Sequence, residues 1–542
     1  MSPGRYKLLF VITTAALLFY LAIISYRILV IELSVAFAAF ISLMAVYIYR
    51  VSRRFRSDSM ENVIVASLLA TIFLFYLWTA STSYAVGKTS FRFGFDEEDP
   101  YNLLSHAMMK GSLSLLIQPD PGLLSLPDPY DPVKNGAYRL NGAHDLSLYR
   151  GKFYIYFGPV PAIVMFMPFH LLSGLDMPGN LALVLFCIGG TILTLLIFRV
   201  LVGTFFPQLS FWMRLMSISL LCICNMCLYN LRRPLMYEIA IASGFFFLAA
   251  ALYLLLINYL GCRNSRAQIA LASLALGLAA GSRPTMALAG IVLVLYLAHI
   301  SAAGKGWTAL FKRDTALNSL PVLLPFTICI AAICLYNHAR FGSITEFGLS
   351  WQLTSIRFED RVAISHSPEL VLRSLGNFFF LPVAVNGAFP FFHCSKYIFL
   401  NYHERASGLM TLMPFVIFLL FMPASLAINR FGEGRKLNAV IAVFTGLGLL
   451  LLFSCCFIGF TQRFFNDFMF LLITASLMIF FTIVRNGRYT EAFRRMLLIL
   501  MVLTSSYSVL ANIAISLEGD SNLLSYLNPE IYNSILRFFH QI

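Results

Sequence analysis

Residues 236–260 read MYEIAIASGFFFLAAALYLLLINYL, a run of 25 residues whose only charged side chain is Glu238. A helix of about 20 apolar residues is long enough to cross the hydrocarbon core of a bilayer. Apolar runs of spanning or near-spanning length recur through the chain and predict about thirteen transmembrane helices. They lie at 8–24, 28–49, 63–86, 180–202, 213–230, 236–260, 267–281, 285–300, 316–336, 409–428, 438–457, 466–484 and 496–516.

The composition agrees with a membrane protein. Of the 542 residues, 59% are hydrophobic and 12% are charged, whereas about 25% of the residues in soluble domains are charged. A soluble enzyme is excluded, because so few charges cannot cover several soluble domains with a polar surface. Nucleic-acid binding is not indicated either, since the basic residues form short clusters between apolar runs and do not form one stripe.

The formal charge of +14 is better explained by topology. Short cytoplasmic connections of membrane proteins are enriched in Lys and Arg. With the N-terminus in the cytoplasm and the first run kept as an uncleaved anchor, basic clusters such as 50–56, 430–436 and 485–495 all fall inside. We therefore expect an integral membrane protein in contact with the lipid bilayer, with its N-terminus in the cytoplasm and its active site on the outer face.

Two outer segments, 87–179 and 337–408, are too long to be simple connections. The stretch 158–175 is apolar, but Gly158, Pro159, Pro161 and His170 favour a helix that lies in the membrane interface. The expected organisation is all-α. It comprises an N-terminal hairpin with its cytoplasmic loop (1–62), a transmembrane core containing the first outer loop (63–336), a second outer loop (337–408), and C-terminal helices with a short outer tail (409–542).

The first outer loop carries an acidic run, Asp96 to Asp99, about ten residues beyond a predicted span. Carboxylates that lie close together raise one another's pKa, which suits a general base. The alternative is a solvated acidic cluster or a divalent-cation site, so a divalent cation is a possible cofactor. The sequel Tyr101 to Leu115 has an apolar stripe that predicts an amphipathic helix on the membrane.

Five arginines are predicted at the outer ends of spans, where a charge is costly. Each alone could equally well have a purely structural role, in which its side chain extends to the membrane surface or pairs with a nearby acid, such as Glu238 beside Arg233 or Asp467 beside Arg463. Together they suggest a clamp for a phosphate group, which arginine binds in bidentate fashion. The five are Arg232, Arg233, Arg283, Arg340 and Arg463.

Aromatic and polar residues in the outer loops are candidates for sugar contacts. Tyr154 and Tyr156 alternate with apolar residues, so a short strand or extended segment would present both on one side. Glu346 and Trp351 offer polar and aromatic contacts in the second loop. Most of the other aromatic residues are explained by lipid packing.

The chain resembles the GT-C superfamily of membrane glycosyltransferases, which includes the protein O-mannosyltransferases and the lipid A aminoarabinose transferases. The resemblance rests on FDEEDPYNLLSHAMMKGSL at 95–113, on YRGKFYIYFGPVPAIVMFMPFHLL at 149–172, and on the many-helix body. The stretches RPLMYE, GSRPT, YNHARFGSITEFG and QRFFNDF resemble those of a bacterial group of such proteins.

This resemblance implies inverting transfer of a sugar from a polyprenyl-phosphate carrier to an envelope glycan, lipid or protein. It implies that Asp96 is the base, that the outer arginines hold the phosphate, and that Glu97 and Tyr101 belong to the acidic motif. The spacing from Asp96 to Tyr101 is one residue longer than in the superfamily, so Asp99 stays a rival base. The acidic loop also follows the third span here, whereas it follows the first in the superfamily.

Two other functions stay open at this point. A lipid or glycan flippase would carry charges near the bilayer midplane and broken helices, whereas the candidate residues here cluster on one side. An O-antigen polymerase or ligase would share the loops and arginines but would use a polyprenyl-diphosphate donor.

Overall fold

The computed structural model describes residues 57–83, 91, 93, 99–262, 265–303, 313–355, 357, 362, 367–385, 389–399, 402–518 and 523–540. The predicted spans 8–24 and 28–49 lie outside these residues. So do Asp96 and Glu97 of the acidic run.

The described part of the chain is mostly helical, as expected, and seven of its helices are long and apolar enough to cross a membrane. These helices and the composition make the chain an integral membrane protein, although the total of about thirteen spans stays a prediction. The seven are Met60–Ser81, Gly179–Phe205, Phe211–Leu231, Met236–Tyr259, Ser319–Phe341, Gly434–Cys456 and Glu491–Leu517.

Four shorter apolar helices accompany them: Ala162–Ser173, Pro284–Ile300, Pro414–Ile428 and Met469–Arg485. The first is too short to span a bilayer, as the interfacial interpretation of 158–175 requires. Its position relative to the membrane stays a prediction.

The helices are numbered in chain order. They are α1 (Ser57–Ser81), α2 (Pro100–Met109), α3 (Pro121–Leu124), α4 (Gly136–Tyr138), α5 (Met167–Ser173), α6 (Gly179–Phe205), α7 (Phe211–Ile223), α8 (Cys227–Leu231), α9 (Met236–Tyr259), α10 (Arg266–Ser282), α11 (Ile291–Ala303), α12 (Arg313–Phe341), α13 (Pro368–Phe380), α14 (Leu409–Leu412), α15 (Met422–Ile428), α16 (Gly434–Cys456), α17 (Met469–Arg485), α18 (Glu491–Glu518), α19 (Leu523–Leu527) and α20 (Pro529–His540).

Tighter and wider helical turns connect or extend several of these elements. The 3₁₀ turns are Pro284–Gly290, Leu349–Trp351, Pro414–Phe421 and Gln462–Asp467, and the π-helical turns are Arg139–Ala143 and Ala162–Phe166.

Two small sheets interrupt the helical architecture, so the all-α expectation was incomplete. One is an antiparallel hairpin of β1 (Ser147–Tyr149) and β2 (Lys152–Tyr154). Its two-residue turn is Arg150-Gly151, and both residues have positive φ, of 49° and 71°. This is the backbone that a tight hairpin turn requires.

The second sheet has the strand order β3-β4-β5 and lies in the second long loop. Its strands are β3 (Val383–Val385), β4 (Phe392–Phe399) and β5 (Tyr402–Ala406).

Helix α9 lies at the centre of the helical body and packs against α6 and α10. Most of its residues are buried on all sides, which is typical of a helix surrounded by other helices. Helix α17 is shorter, yet every residue from Met469 to Ile483 is buried. The core is therefore built around these two helices.

Glycines allow α10 to approach its neighbours closely. A Cβ atom on Gly277 would lie 2.4 Å from the Cβ of Cys329 on α12, and one on Gly158 would lie 1.8 Å from the carbonyl oxygen of Gly281. The GxxxG pair Gly277 and Gly281 thus marks two close contacts of α10. The second contact packs the segment after β2 against the end of α10, immediately before Arg283.

The helix ends separate into two groups. At one end Arg214 pairs with Glu61 at 2.7 Å, and Arg485 donates a hydrogen bond to the carbonyl of Phe205. All four residues lie at or near connections predicted to be cytoplasmic. The predicted outer turns meet at the other end and surround the cavity described below.

We predict that Gly158→Ala destabilises the protein, because the clash is with a backbone carbonyl that no side-chain rotation can relieve. Overpacking of this kind costs about 1–3 kcal/mol. Gly203→Ala on α6 is the matched control, since its Cβ would meet nothing within 4 Å. Unfolding temperatures in detergent should fall for Gly158→Ala only, and equal values for the two variants would contradict this packing.

Candidate functional site

A cavity of about 340 Å³ lies where three short turns and two long loops meet. The turns are those between α8 and α9, after α10, and between α16 and α17. The polar residues that line it come from all five segments and are His144, Asp145, Tyr156, Arg233, Tyr237, Arg283, Thr285, Gln352, Thr354, Ser355, Thr461 and Arg463.

The turn before α9 supplies a cation and the acid that holds it. Nε and Nη2 of Arg233 both donate to Oε1 of Glu238, at 3.1 and 2.9 Å. Glu238 lies in the first turn of α9, where a carboxylate is favoured by the helix dipole. Its side chain is only 2% exposed, so the ion pair is buried on the acid's side.

Arg463 reaches the same carboxylate from the turn before α17. Its Nη1 lies 4.0 Å from Oε1 of Glu238, and its guanidinium lies over the rings of Tyr237 and Phe464. The pairing of Arg463 with Asp467 that their spacing suggested is therefore wrong. One buried carboxylate instead lies between two arginines from different turns.

Asp467 pairs with Arg283, which lies directly after α10. Nε of Arg283 lies 2.7 Å from Oδ2 of Asp467, and both side chains are at least 95% buried. The guanidinium also lies 4.4 Å from the ring centre of Phe464, so its orientation is fixed on two sides.

Asp145 brings a carboxylate from the first long loop to this cavity. It has a positive φ of 60°, and one of its oxygens, Oδ2, accepts a short hydrogen bond from the hydroxyl of Tyr237. Nε2 of His144 lies 3.6 Å from the same oxygen. The other oxygen, Oδ1, has no hydrogen-bond partner in the described part of the chain.

Backbone hydrogen bonds between the two long loops hold Asp145 in place. Its N–H donates to the carbonyl of Leu353 at 2.8 Å, and the N–H of Leu353 donates to Leu146 at 2.9 Å. The hydroxyl of Ser147 donates to the carbonyl of Gly348. The second loop thus acts as the support on which the first loop presents its acid.

Aromatic rings form one wall of the cavity. The rings of Tyr156 and Phe157 are 4.3 Å apart, and Phe157 contacts Tyr237 edge-on at 5.8 Å. Such a wall offers flat surfaces next to charged groups.

Two of the predicted arginines lie elsewhere. Arg232 is fully buried, donates to Thr82 and to the carbonyl of Ser516, and lies over Trp78. Arg340 donates to the carbonyl of Ile155 and to Asn337. Both hold parts of the fold together, and neither lines the cavity.

Asp99 and Tyr101 belong to the start of α2. The carboxylate of Asp99 accepts from the N–H groups of Tyr101 and Asn102, which is the geometry of an N-cap. Tyr101 is fully buried and packs on Phe166. The predicted helix from Tyr101 is confirmed, although α2 ends at Met109.

The other residues predicted to contact a sugar make contacts within the loops instead. Tyr154 packs on Phe341, so the structure separates it from Tyr156. Glu346 accepts hydrogen bonds from Gly348 and Ser350 within its own turn. Trp351 packs against Tyr130 and Tyr149.

Of the residues predicted for the site, the cavity thus brings together Arg233, Arg283, Arg463 and Tyr156, with Glu238 and Asp467 behind them. The sequence analysis missed His144, Asp145 and Tyr237. Tyr237 could have been found from the sequence, because it immediately precedes Glu238, which was predicted for the site. Nothing in the sequence around Asp145 distinguishes it from any other acid in a loop.

The cavity presents three guanidinium groups, those of Arg233, Arg283 and Arg463, beside the carboxylate of Asp145. Each guanidinium is oriented by a buried acid, by an aromatic ring, or by both. Potential metal ligands in the described residues gather at a separate place, at His106, His170 and Asp176.

Comparisons with known proteins give structural matches alone. No family model matches the sequence, and no curated protein matches it. A solved structure of the archaeal oligosaccharyltransferase AglB from Archaeoglobus fulgidus, with an inhibitory peptide and a dolichol-phosphate, is 12% identical with a TM-score of 0.40. The match covers 83% of this chain and 55% of AglB, so this chain spans about half the length of that enzyme.

A second match is ArnT from Cupriavidus metallidurans bound to undecaprenyl phosphate. It is 10% identical with a TM-score of 0.40, and the match covers 87% of this chain and 78% of ArnT.

We predict that Glu238→Gln destabilises the protein by about 3–5 kcal/mol, because it removes a buried negative charge that lies beside two partly buried guanidiniums. Glu61→Gln is the matched control. It breaks an ion pair of similar length whose partners are about 40% exposed, and such pairs contribute about 0–1 kcal/mol. Denaturation in detergent measures both, and a similar loss for the two variants would contradict the buried pairing.

Proposed function

We propose that this chain is a membrane glycosyltransferase that moves a sugar from a polyprenyl-phosphate donor to an envelope glycan, lipid or protein on the outer face of the bacterial cytoplasmic membrane. The observation that carries this proposal is the cavity in which Arg233, Arg283 and Arg463 meet beside Asp145. Three short turns, far apart in sequence, each supply one of these arginines.

The arginines bind the donor phosphate. Guanidinium groups match the geometry of phosphate oxygens and stay charged at any physiological pH. Glu238 and Asp467 hold them from behind, so little reorganisation is needed when an anion enters. Donors fixed in advance around developing charge are the strongest source of transition-state stabilisation.

A carboxylate accepts the proton of the acceptor hydroxyl. The acceptor oxygen then forms a bond to the anomeric carbon on the face opposite the leaving group, and the bond from that carbon to the phosphate oxygen breaks. The electron pair of the broken bond stays with the polyprenyl phosphate, which the arginines hold. The outcome is inversion at the anomeric carbon.

We assign the base to Asp145, with Asp96 as the alternative that the GT-C resemblance implies. Asp145 lines the cavity, and Tyr237 binds one of its oxygens. Its second oxygen is unpaired in the described part of the chain. Asp99 is less suited to this role because its carboxylate caps α2.

Tyr156 is placed to contact the sugar. Its ring lines the cavity beside Phe157, and aromatic faces favour the apolar face of a sugar ring. A lipid-linked donor also suits the location, since its phosphate would lie at the membrane surface while its tail stays in the bilayer.

The test is transfer of label from a panel of polyprenyl-phosphate sugars by the purified full chain in lipid nanodiscs, with an envelope-lipid extract as acceptor. Asp145→Asn should lower the rate by about 10²–10⁴-fold, the usual contribution of a general base. Asp120→Asn, which changes an exposed acid in the same loop, should leave the rate unchanged.

Asp96→Asn is measured in parallel. Loss of transfer with Asp96→Asn but not with Asp145→Asn would move the base to Asp96. No transfer by the folded wild-type protein with any donor of the panel would overturn the proposed function.

We predict that Arg463→Ala raises the KM for the donor about 10- to 100-fold, since a hydrogen bond to a charged group contributes about 1.5–3 kcal/mol. The control is Arg485→Ala, which removes an arginine at the opposite end of the helices. Steady-state kinetics with varied donor separate the two, and an unchanged KM for Arg463→Ala would remove this residue from the phosphate site.

A further inference from the structure

A second cluster of reactive side chains lies outside the arginine cavity. Nε2 of His106 is 2.7 Å from Oδ1 of Asp176, and Nδ1 of His170 is 3.1 Å from the same oxygen. Asp176 is 2% exposed, while the two imidazoles are 27% and 23% exposed. Two nitrogens from different helices therefore converge on one buried carboxylate, and both histidine side chains are partly exposed to solvent.

The local fold builds this cluster from three elements. His106 lies on α2 and His170 on α5. Gly174, with a φ of 72°, ends α5 in a left-handed turn, so the chain reverses and brings Asp176 back beside His170. Nδ2 of Asn102 donates to the carbonyl of Met177 at 3.0 Å, which ties α2 to the same segment a second time.

We propose that His106, His170 and Asp176 bind one divalent transition-metal ion, with Zn²⁺ as the preferred ion. One ligand atom from each residue lies within 4.8 Å of the other two. Zinc binds imidazole nitrogen and carboxylate oxygen at about 2.0–2.2 Å in tetrahedral geometry. Ligand atoms around it are then about 3.3 Å apart, so only small side-chain shifts separate the present spacing from a coordinated one.

The ligand types also select among metals. Two imidazoles and one carboxylate suit Zn²⁺ and its neighbours in the transition series, whereas Mg²⁺ and Ca²⁺ prefer oxygen ligands alone. Three protein ligands leave a fourth position for water or for a further group.

The ion would act as a positioning site and would not touch the donor. The arginine cavity contains none of its three ligands. It would fix α2 to the segment before α6, and a Cβ on Gly179, the first residue of α6, would lie 2.6 Å from the carboxylate of Asp99. The metal would thus fix the position of α2 relative to the start of α6.

The experiment measures metal content in the full chain, purified through a tag without histidine, equilibrated with Zn²⁺ and passed over a desalting column. The wild type should retain about one zinc per chain. His106→Ala and Asp176→Asn should bind zinc at least about tenfold more weakly. His338→Ala, which removes an exposed histidine on α12 away from the cluster, should retain it.

Visible absorption of bound Co²⁺ tests the site in the wild-type protein alone, and so it is informative even if the variants fail to fold. Co²⁺ in the wild-type protein should give the intense visible absorption of a four-coordinate site, and excess Zn²⁺ should abolish it. Wild-type protein that retains no zinc and shows no such absorption would overturn the proposal. Equal zinc retention by wild type, His106→Ala and Asp176→Asn would overturn it as well, because the metal would then be bound elsewhere.

Discussion

The architecture of the site depends on the burial of Glu238 between two arginines. A guanidinium at the edge of an apolar helical body is costly unless an acid lies close to it. Glu238 meets this requirement for Arg233 from its own turn and for Arg463 from the turn before α17. Because one carboxylate serves both, the two turns are held at a fixed separation, and the cavity between them keeps its shape. Asp467 does the same for Arg283.

The packing of the helical body and of the long loops positions the other residues of the cavity. Close packing at Gly158 and Gly281 places the segment after β2 against the end of α10, so Tyr156 and Arg283 enter the same cavity. The second loop pairs with the first through Leu353 and thereby presents Asp145. Cations from the helix turns and an acid from a loop thus meet at one end of the bundle, which is the arrangement that the proposed sugar transfer from a lipid phosphate would use.

Hydropathy predicted the spanning helices. The energetic cost of a charge at a membrane boundary pointed to arginines of the cavity. Long apolar runs identified all seven of the described spanning helices, and arginines at predicted outer turns identified three members of the cavity. The apolar runs could not show which acid pairs with each arginine. The ion pair of Arg283 with Asp467, for example, joins turns about 180 residues apart. Arg340 and Arg232 carry the same sequence signal as the others, yet they bind backbone carbonyls. Asp145 was missed because its importance comes from a contact between two loops, which no local pattern records.

A structure of the full chain in lipid nanodiscs with polyprenyl phosphate, determined by cryo-electron microscopy, tests the central claim most directly. We predict that the phosphate lies in the cavity within hydrogen-bonding distance of Arg233, Arg283 and Arg463, with the lipid tail leaving toward the bilayer. A phosphate bound beside Arg232 or Arg340, or at the opposite end of the helices near Glu61 and Arg214, would contradict it.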